Sequence, residues 1–238
     1  MLRCITSFGN GALAHDLEPS GSLILYAHPF SSYCQKVLIA LYEGATPFEF
    51  RMLSPDNPTA GAEFATLWPL RRMPVLRDGE QTLMEATVII EHLDLCYPGP
   101  ARLLPADPRA AVRARFMDRV FDNYVMTPMQ KIVGDHLRPA DARDPHGVAE
   151  AHKLLDNSYA WLEQTLQDQG WACGDFSLAD CAAGPSLFYA DWVHPIAEDC
   201  RKLKAYRQRL LARPSFARAV DEARSYRPLF PPGAPDRD

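Results

Sequence analysis

Residues 28–34 read His-Pro-Phe-Ser-Ser-Tyr-Cys, and five of these seven side chains can donate, accept or exchange a proton. Before them lies an apolar run, Leu23 to Ala27. After them, residues 32–43 carry Val37, Leu38, Leu41 and Tyr42 at helical spacing. The stretch is therefore a strand-to-helix turn. The free N–H groups and dipole at such a helix start favour a nearby anion. Two adjacent hydroxyls, Ser31 and Ser32, blur which one faces that anion, and Ser32 is also placed to be the helix N-cap. Cys34 lies in the first helical turn. Exposed, it would form a reactive thiolate; otherwise it is a small buried side chain. His28 either approaches the turn's polar groups or is a hydrogen-bonded structural residue. Tyr33 and Tyr26 are further phenols, with Tyr26 expected in the core because it belongs to the strand.

Two more stretches carry suitable groups. In Arg71-Arg72-Met73-Pro74, a proline opens an apolar run, as prolines do at the first residue of a strand. Arg72 can pair with a carboxylate or remain a solvated loop cation. In Leu83-Met84-Glu85-Ala86, Glu85 ends a strand and opens a helix. Glu85 either caps that helix or offers its carboxylate to a cation. A hairpin separates the two stretches.

The elements that must position these groups follow from period and punctuation. Residues 23–27 form a buried strand and residues 32–43 a helix. Residues 44–53 start with a helix-stopping glycine and then alternate, giving a second strand. Residues 62–69 are a short helix or loop. Residues 73–85 read as a hairpin around Asp78-Gly79, and residues 86–97 as a helix closed by Pro-Gly-Pro. Beyond a linker at 98–105 the periodicity is helical over 108–138, 145–169, 178–192, 197–212 and 215–226. The expected architecture is a β-α-β-α-β-β-α domain over 21–97 and an all-helical domain over 106–228. Residues 1–20 are an extension and residues 229–238 a tail.

Composition narrows the function. Apolar residues make up 47% of the 238, enough for a core, and the net charge of −5 argues against nucleic-acid binding. No run approaches the roughly 18 apolar residues of a membrane span, and residues 1–20 lack a signal peptide's apolar block. Cysteines 4, 34, 96, 173, 181 and 200 show no ligand spacing, so no metal is expected, and reduced thiols in the cytoplasm are the default.

The order β-α-β-ββ-α followed by a helical bundle resembles the cytosolic glutathione transferase superfamily, over roughly residues 22–226. Met73-Pro74 is similar to the cis-proline of thioredoxin-like domains, which presents backbone N–H and C=O to an extended peptide. Glu85, 12 residues on, resembles the family's Glu-Ser, although Ala86 stands where Ser is usual. That absence removes one hydrogen bond to a charged group, about 1.5–3 kcal/mol, and Thr87 is the nearest substitute. Gly174 to Asp180 resembles the capping box that begins a core helix of the second domain, with Phe176 and Cys181 as a hydrophobic staple. In the loop before Met73, Trp68 and Arg71 replace the family's Asn and Gly.

The resemblance implies a glutathione S-transferase with glutathione as co-substrate. Ser31 takes the place of the active hydroxyl, with Ser32, Cys34 and His28 as secondary candidates. Arg72, Met73, Pro74, Glu85 and Ala86 hold the peptide. Among the aromatic and methionine residues Met117, Phe121, Tyr124, Met126 and Met129, Tyr124 is the best candidate for the electrophile pocket. A small-molecule electrophile and a two-fold homodimer are the implied partners. The Ser-Ser turn is similar to the zeta class, so a glutathione-dependent isomerase is an alternative. A disulfide reductase and a non-catalytic glutathione-binding module are others.

Overall fold

The computed structural model describes residues 22–238; the extension expected over 1–20, with Cys4, lies outside them. Strand β1 (Leu23–Ala27) is buried at nearly every position. It turns through residues 28–31 into α1 (Ser32–Glu43), which the helix-stopping Gly44 caps. Strand β2 (Phe48–Met52) follows, then α2 (Pro58–Leu67), whose Asn57 cap accepts from the Ala60 N–H. Strands β3 (Val75–Asp78) and β4 (Gln81–Met84) form the expected hairpin. Its two-residue loop is Gly79-Glu80, with Asp78 opposite Gln81. Gly79 takes φ +57°, a backbone region that glycine enters without steric cost. Helix α3 (Ala86–Cys96) closes the half.

The four strands lie in the order β2-β1-β3-β4. β1 runs parallel to β2 and antiparallel to β3, with Leu25 opposite Leu76 and Tyr26 opposite Val75. This is a thioredoxin-like domain, as the sequence predicts. The register brings the end of β1, and so the 28–31 turn, beside Met73-Pro74 at the start of β3.

The second half is helical. Helix α4 (Pro108–Val120) continues through a wider π-type turn, Phe121–Met126, into α5 (Thr127–His136). Then come α6 (Pro145–Thr165), α7 (Leu178–Val193), α8 (Arg201–Ala212) and α9 (Pro214–Ala223), ending in a 3-10 segment, Arg224–Leu229. Helix α7 is buried from Leu178 to Asp191 and packs against α1, α4 and α8. Its capping box forms: the Ser177 N–H donates to Asp180 Oδ2 at 2.9 Å. Tyr206 O–H donates to the other Asp180 oxygen at 2.6 Å, which anchors α8 on the start of α7. Among the described residues, no helix is long and apolar enough to cross a membrane.

Candidate active site

The turn that opens α1 is fixed from inside. Ser31 N–H donates to the His28 carbonyl at 3.0 Å, which folds residues 28–31 into a tight reversal. Buried Gln35 donates to the Pro29 carbonyl at 3.0 Å, and Tyr189 of α7 donates to the Phe30 carbonyl at 3.0 Å. Both ends of the turn thus hang on α1 and α7.

Ser31, with extended φ −84° and ψ 125°, is the N-cap of α1. This corrects the placement of the cap at Ser32, which is already the first helical residue. The Ser31 side chain makes no capping bond. It lines a polar groove of about 590 Å³ together with Tyr33, Arg72, Met73, Pro74, Glu85 and Ala86. The sequence-predicted groups are therefore brought together. The Met73–Pro74 peptide bond is cis.

Glu85 is the N-cap residue of α3, exposed at the groove with φ +68°, and its carboxylate makes no capping bond. A non-glycine residue in that region costs of order 1–3 kcal/mol and is held there by its surroundings. Arg71 likewise has φ +50°: the loop keeps a glycine-type backbone at the position where the family has Gly, but carries a guanidinium into the groove. Ala86, buried, is the first residue of α3 and lines the groove.

Thr87 is not available to replace the missing serine. Its hydroxyl donates to Asp118 Oδ2 at 3.0 Å and accepts from the Lys36 ammonium at 2.9 Å. Lys36 is itself buried and pairs with Asp118 at 2.5 Å and with Asp122 at 2.8 Å. Arg119 bonds both carboxylates from the groove side. This cluster closes the floor of the groove. Its neighbours raise the Tyr33 hydroxyl pKa to about 12, through burial first and then Asp122, so the phenol stays protonated. Arg119, Asp122 and Gln130 line the groove without having been singled out by the sequence reasoning.

The remaining candidates fall elsewhere. Cys34 has no exposed surface, and burial pushes its thiol up to about 11 despite hydrogen bonds from Ser31 and the His28 backbone. It offers no thiolate to a disulfide reductase. His28 is structural: its Nδ1 accepts from the Phe30 N–H at 3.1 Å and its ring stands edge-on to Tyr226 at 4.7 Å. Tyr26 is a core residue whose hydroxyl donates to Glu63 at 2.8 Å. Ser32 faces a separate apolar cavity of about 330 Å³.

That cavity lies against the groove, and Ser31 and Gln130 line both. Its walls are Phe30, Met129, Val133, Tyr189, Leu229 and Phe230. Tyr124 is absent from it. The wide turn at residues 121–126 rotates Tyr124 outward, half exposed, into a different groove with Phe116 and Trp161. Tyr124, expected to face the electrophile, thus lies outside the cavity beside Ser31, whereas Met129 of α5 lines it.

Comparison with known proteins accords with this geometry. The family profile described as glutathione S-transferase, N-terminal domain matches residues 25–101, and that described as glutathione S-transferase, C-terminal domain matches residues 145–209. The chain belongs to the cytosolic glutathione S-transferase superfamily. Among its relatives, a probable maleylacetoacetate isomerase of Vibrio cholerae is 31% identical over 84% of this chain and 96% of its own length. A stringent starvation protein A homolog of Coxiella burnetii is 26% identical over 85% and 93%. Among solved structures, a glutathione S-transferase of Methylobacterium radiotolerans in complex with glutathione sulfonate superposes with a TM-score of 0.72. It is 29% identical and covers 84% of this chain and 95% of its own.

Proposed function

We propose that this glutathione transferase binds glutathione extended along the groove, with its sulfur at Ser31. The Met73 backbone pairs with the cysteinyl unit as an added strand. The Ala86 N–H and the dipole of α3 take the γ-glutamyl carboxylate, Glu85 takes the ammonium group, and Arg72 takes the glycyl carboxylate. A thiol with pKa near 8.5 is mostly protonated at neutral pH. The Ser31 O–H, donating to the sulfur, stabilises the anion and lowers that pKa. The thiol proton leaves to solvent. The thiolate then attacks an electrophilic carbon in the apolar cavity, and the leaving group departs with its electron pair.

One observation carries this reading: Ser31, with no capping bond of its own, stands where the polar groove and the apolar cavity meet. Under it, residues 21–97 form the glutathione-binding half and 106–228 the electrophile-binding half, joined by the linker at 98–105. The molecule works as a two-fold homodimer in the cytoplasm. The buried, protonated Cys34 speaks against the reductase alternative.

The test is a pH titration of bound glutathione, followed by the ultraviolet absorbance of the thiolate. The wild type is expected to depress the thiol pKa by at least one unit, about 1.4 kcal/mol, and Ser31→Ala to abolish the depression while still binding the peptide. An unshifted pKa in the wild type rejects the catalytic reading. A shift that survives Ser31→Ala rejects the role of Ser31.

A further inference from the structure

The chain does not stop at the helical bundle. After the 3-10 segment, Phe230, Pro231, Pro232 and Gly233 make a turn, closed by the Gly233 N–H donating to the Phe230 carbonyl at 2.9 Å. Gly233 has φ +88°, which suits glycine there. The turn returns residues 234–238 to the bundle, where two side chains fasten them. Arg237 bonds the Asp191 carboxylate and donates to its backbone carbonyl at 2.7 Å. Asp238 takes a two-pronged contact from Arg224, both bonds 3.0 Å, and a further bond from Arg227. These charges are partly open to solvent, with Asp238 39% and Arg224 46% exposed.

What the turn delivers is Phe230. Its ring is nearly buried, stands edge-on to Phe30 at 6.3 Å and to Trp192 at 5.1 Å, and stacks on Tyr189 at 6.2 Å. It walls the apolar cavity that Ser31 opens into. Phe30 and Tyr189 belong to the reactive turn and to the helix that holds it. The tail is thus built into the far wall of the pocket.

We propose that Phe230 is a specificity-determining residue, and that the Arg237 and Asp238 clasp holds it as the wall which selects electrophiles by their apolar bulk. This rests on the reading that glutathione occupies the adjoining groove. The Arg224–Asp238 pair of the clasp is exposed on both sides, so salt weakens it. The selectivity of the pocket is therefore adjustable from a point remote from the sulfur.

Binding of S-methylglutathione and S-hexylglutathione, measured by calorimetry, tests this without requiring turnover. The hexyl chain extends from the sulfur into the cavity, whereas the methyl group does not. The wild type is expected to prefer the hexyl compound by about tenfold or more. Phe230→Ala should cut that preference at least about fivefold. Asp238→Asn should cut it partly, and raising salt from about 0.05 to 0.5 M should erode the preference more in the wild type than in Asp238→Asn. Asp238 is at the surface, so that variant and the salt series decide the matter even if Phe230→Ala fails to fold. A preference identical in wild type and variants, at either salt, overturns the proposal. Failure of the wild type to bind either compound overturns the glutathione reading itself, and the proposal with it.

Discussion

The Cys34 thiol lies one helical turn beyond Ser31, wholly buried and within hydrogen-bond reach of it. The thiol ionises near its ordinary 9.0 in the unfolded chain and at about 11 in the folded one. The fold favours the neutral form. That contribution is complete below pH 9 and is lost as pH rises toward 11, a loss on the order of 2–3 kcal/mol. Urea midpoints at pH 8 and pH 11 should therefore fall further for the wild type than for Cys34→Ala; equal falls would remove Cys34 as the cause. The residue types of this turn were readable because serine and cysteine at a helix start have few roles. The cap's position is not legible in the same way, since adjacent serines satisfy the same preference and only the backbone angle at Ser31 separates them.

At the scale of elements, α1 carries the heaviest electrostatic burden. Lys36 is buried, and its ammonium ties Thr87 at the start of α3 to Asp118 of α4 and to Asp122. Taking away one partner of a buried pair leaves the others uncompensated, at about 3–5 kcal/mol. Lys36→Met is expected to lower unfolding stability by that amount, read from urea melts, and the double variant Lys36→Met/Asp118→Leu to recover part of it. A wild-type melt from the single variant would show that Arg119 alone balances both carboxylates. Period and punctuation made α1, the β3-β4 hairpin and α3 legible, because apolar spacing is local. The cluster was not legible. Lys36 sits among apolar residues with no local partner, and Asp122 is 86 positions away. The wide turn at 121–126 was missed for a similar reason: apolar spacing continues through it, yet it shifts Tyr124 out of the cavity and leaves Met129 within it.

At the scale of the molecule, several large apolar side chains of α3, α4 and α6 are exposed. Val88 and Leu95 on α3, Val112 and Phe116 on α4, and Trp161 on α6 are all between 39% and 65% exposed. Phe116 and Trp161 meet edge-on at 6.0 Å. Such a cluster of large side chains suits a self-complementary two-fold contact. Phe116→Glu is expected to weaken self-association about 30-fold or more in sedimentation experiments. A wild type that sediments as a single chain at micromolar concentration would remove the homodimer.

The reactive turn depends on both halves of the chain. Its Phe30 carbonyl is held by Tyr189, and the lysine beneath its helix is neutralised by Asp118 and Asp122. A fragment ending at Tyr97 would keep every glutathione contact proposed here yet strand an ammonium group in an opened core. The two halves are therefore not interchangeable parts: a chimera that pairs this sheet with foreign helices must import those carboxylates along with it.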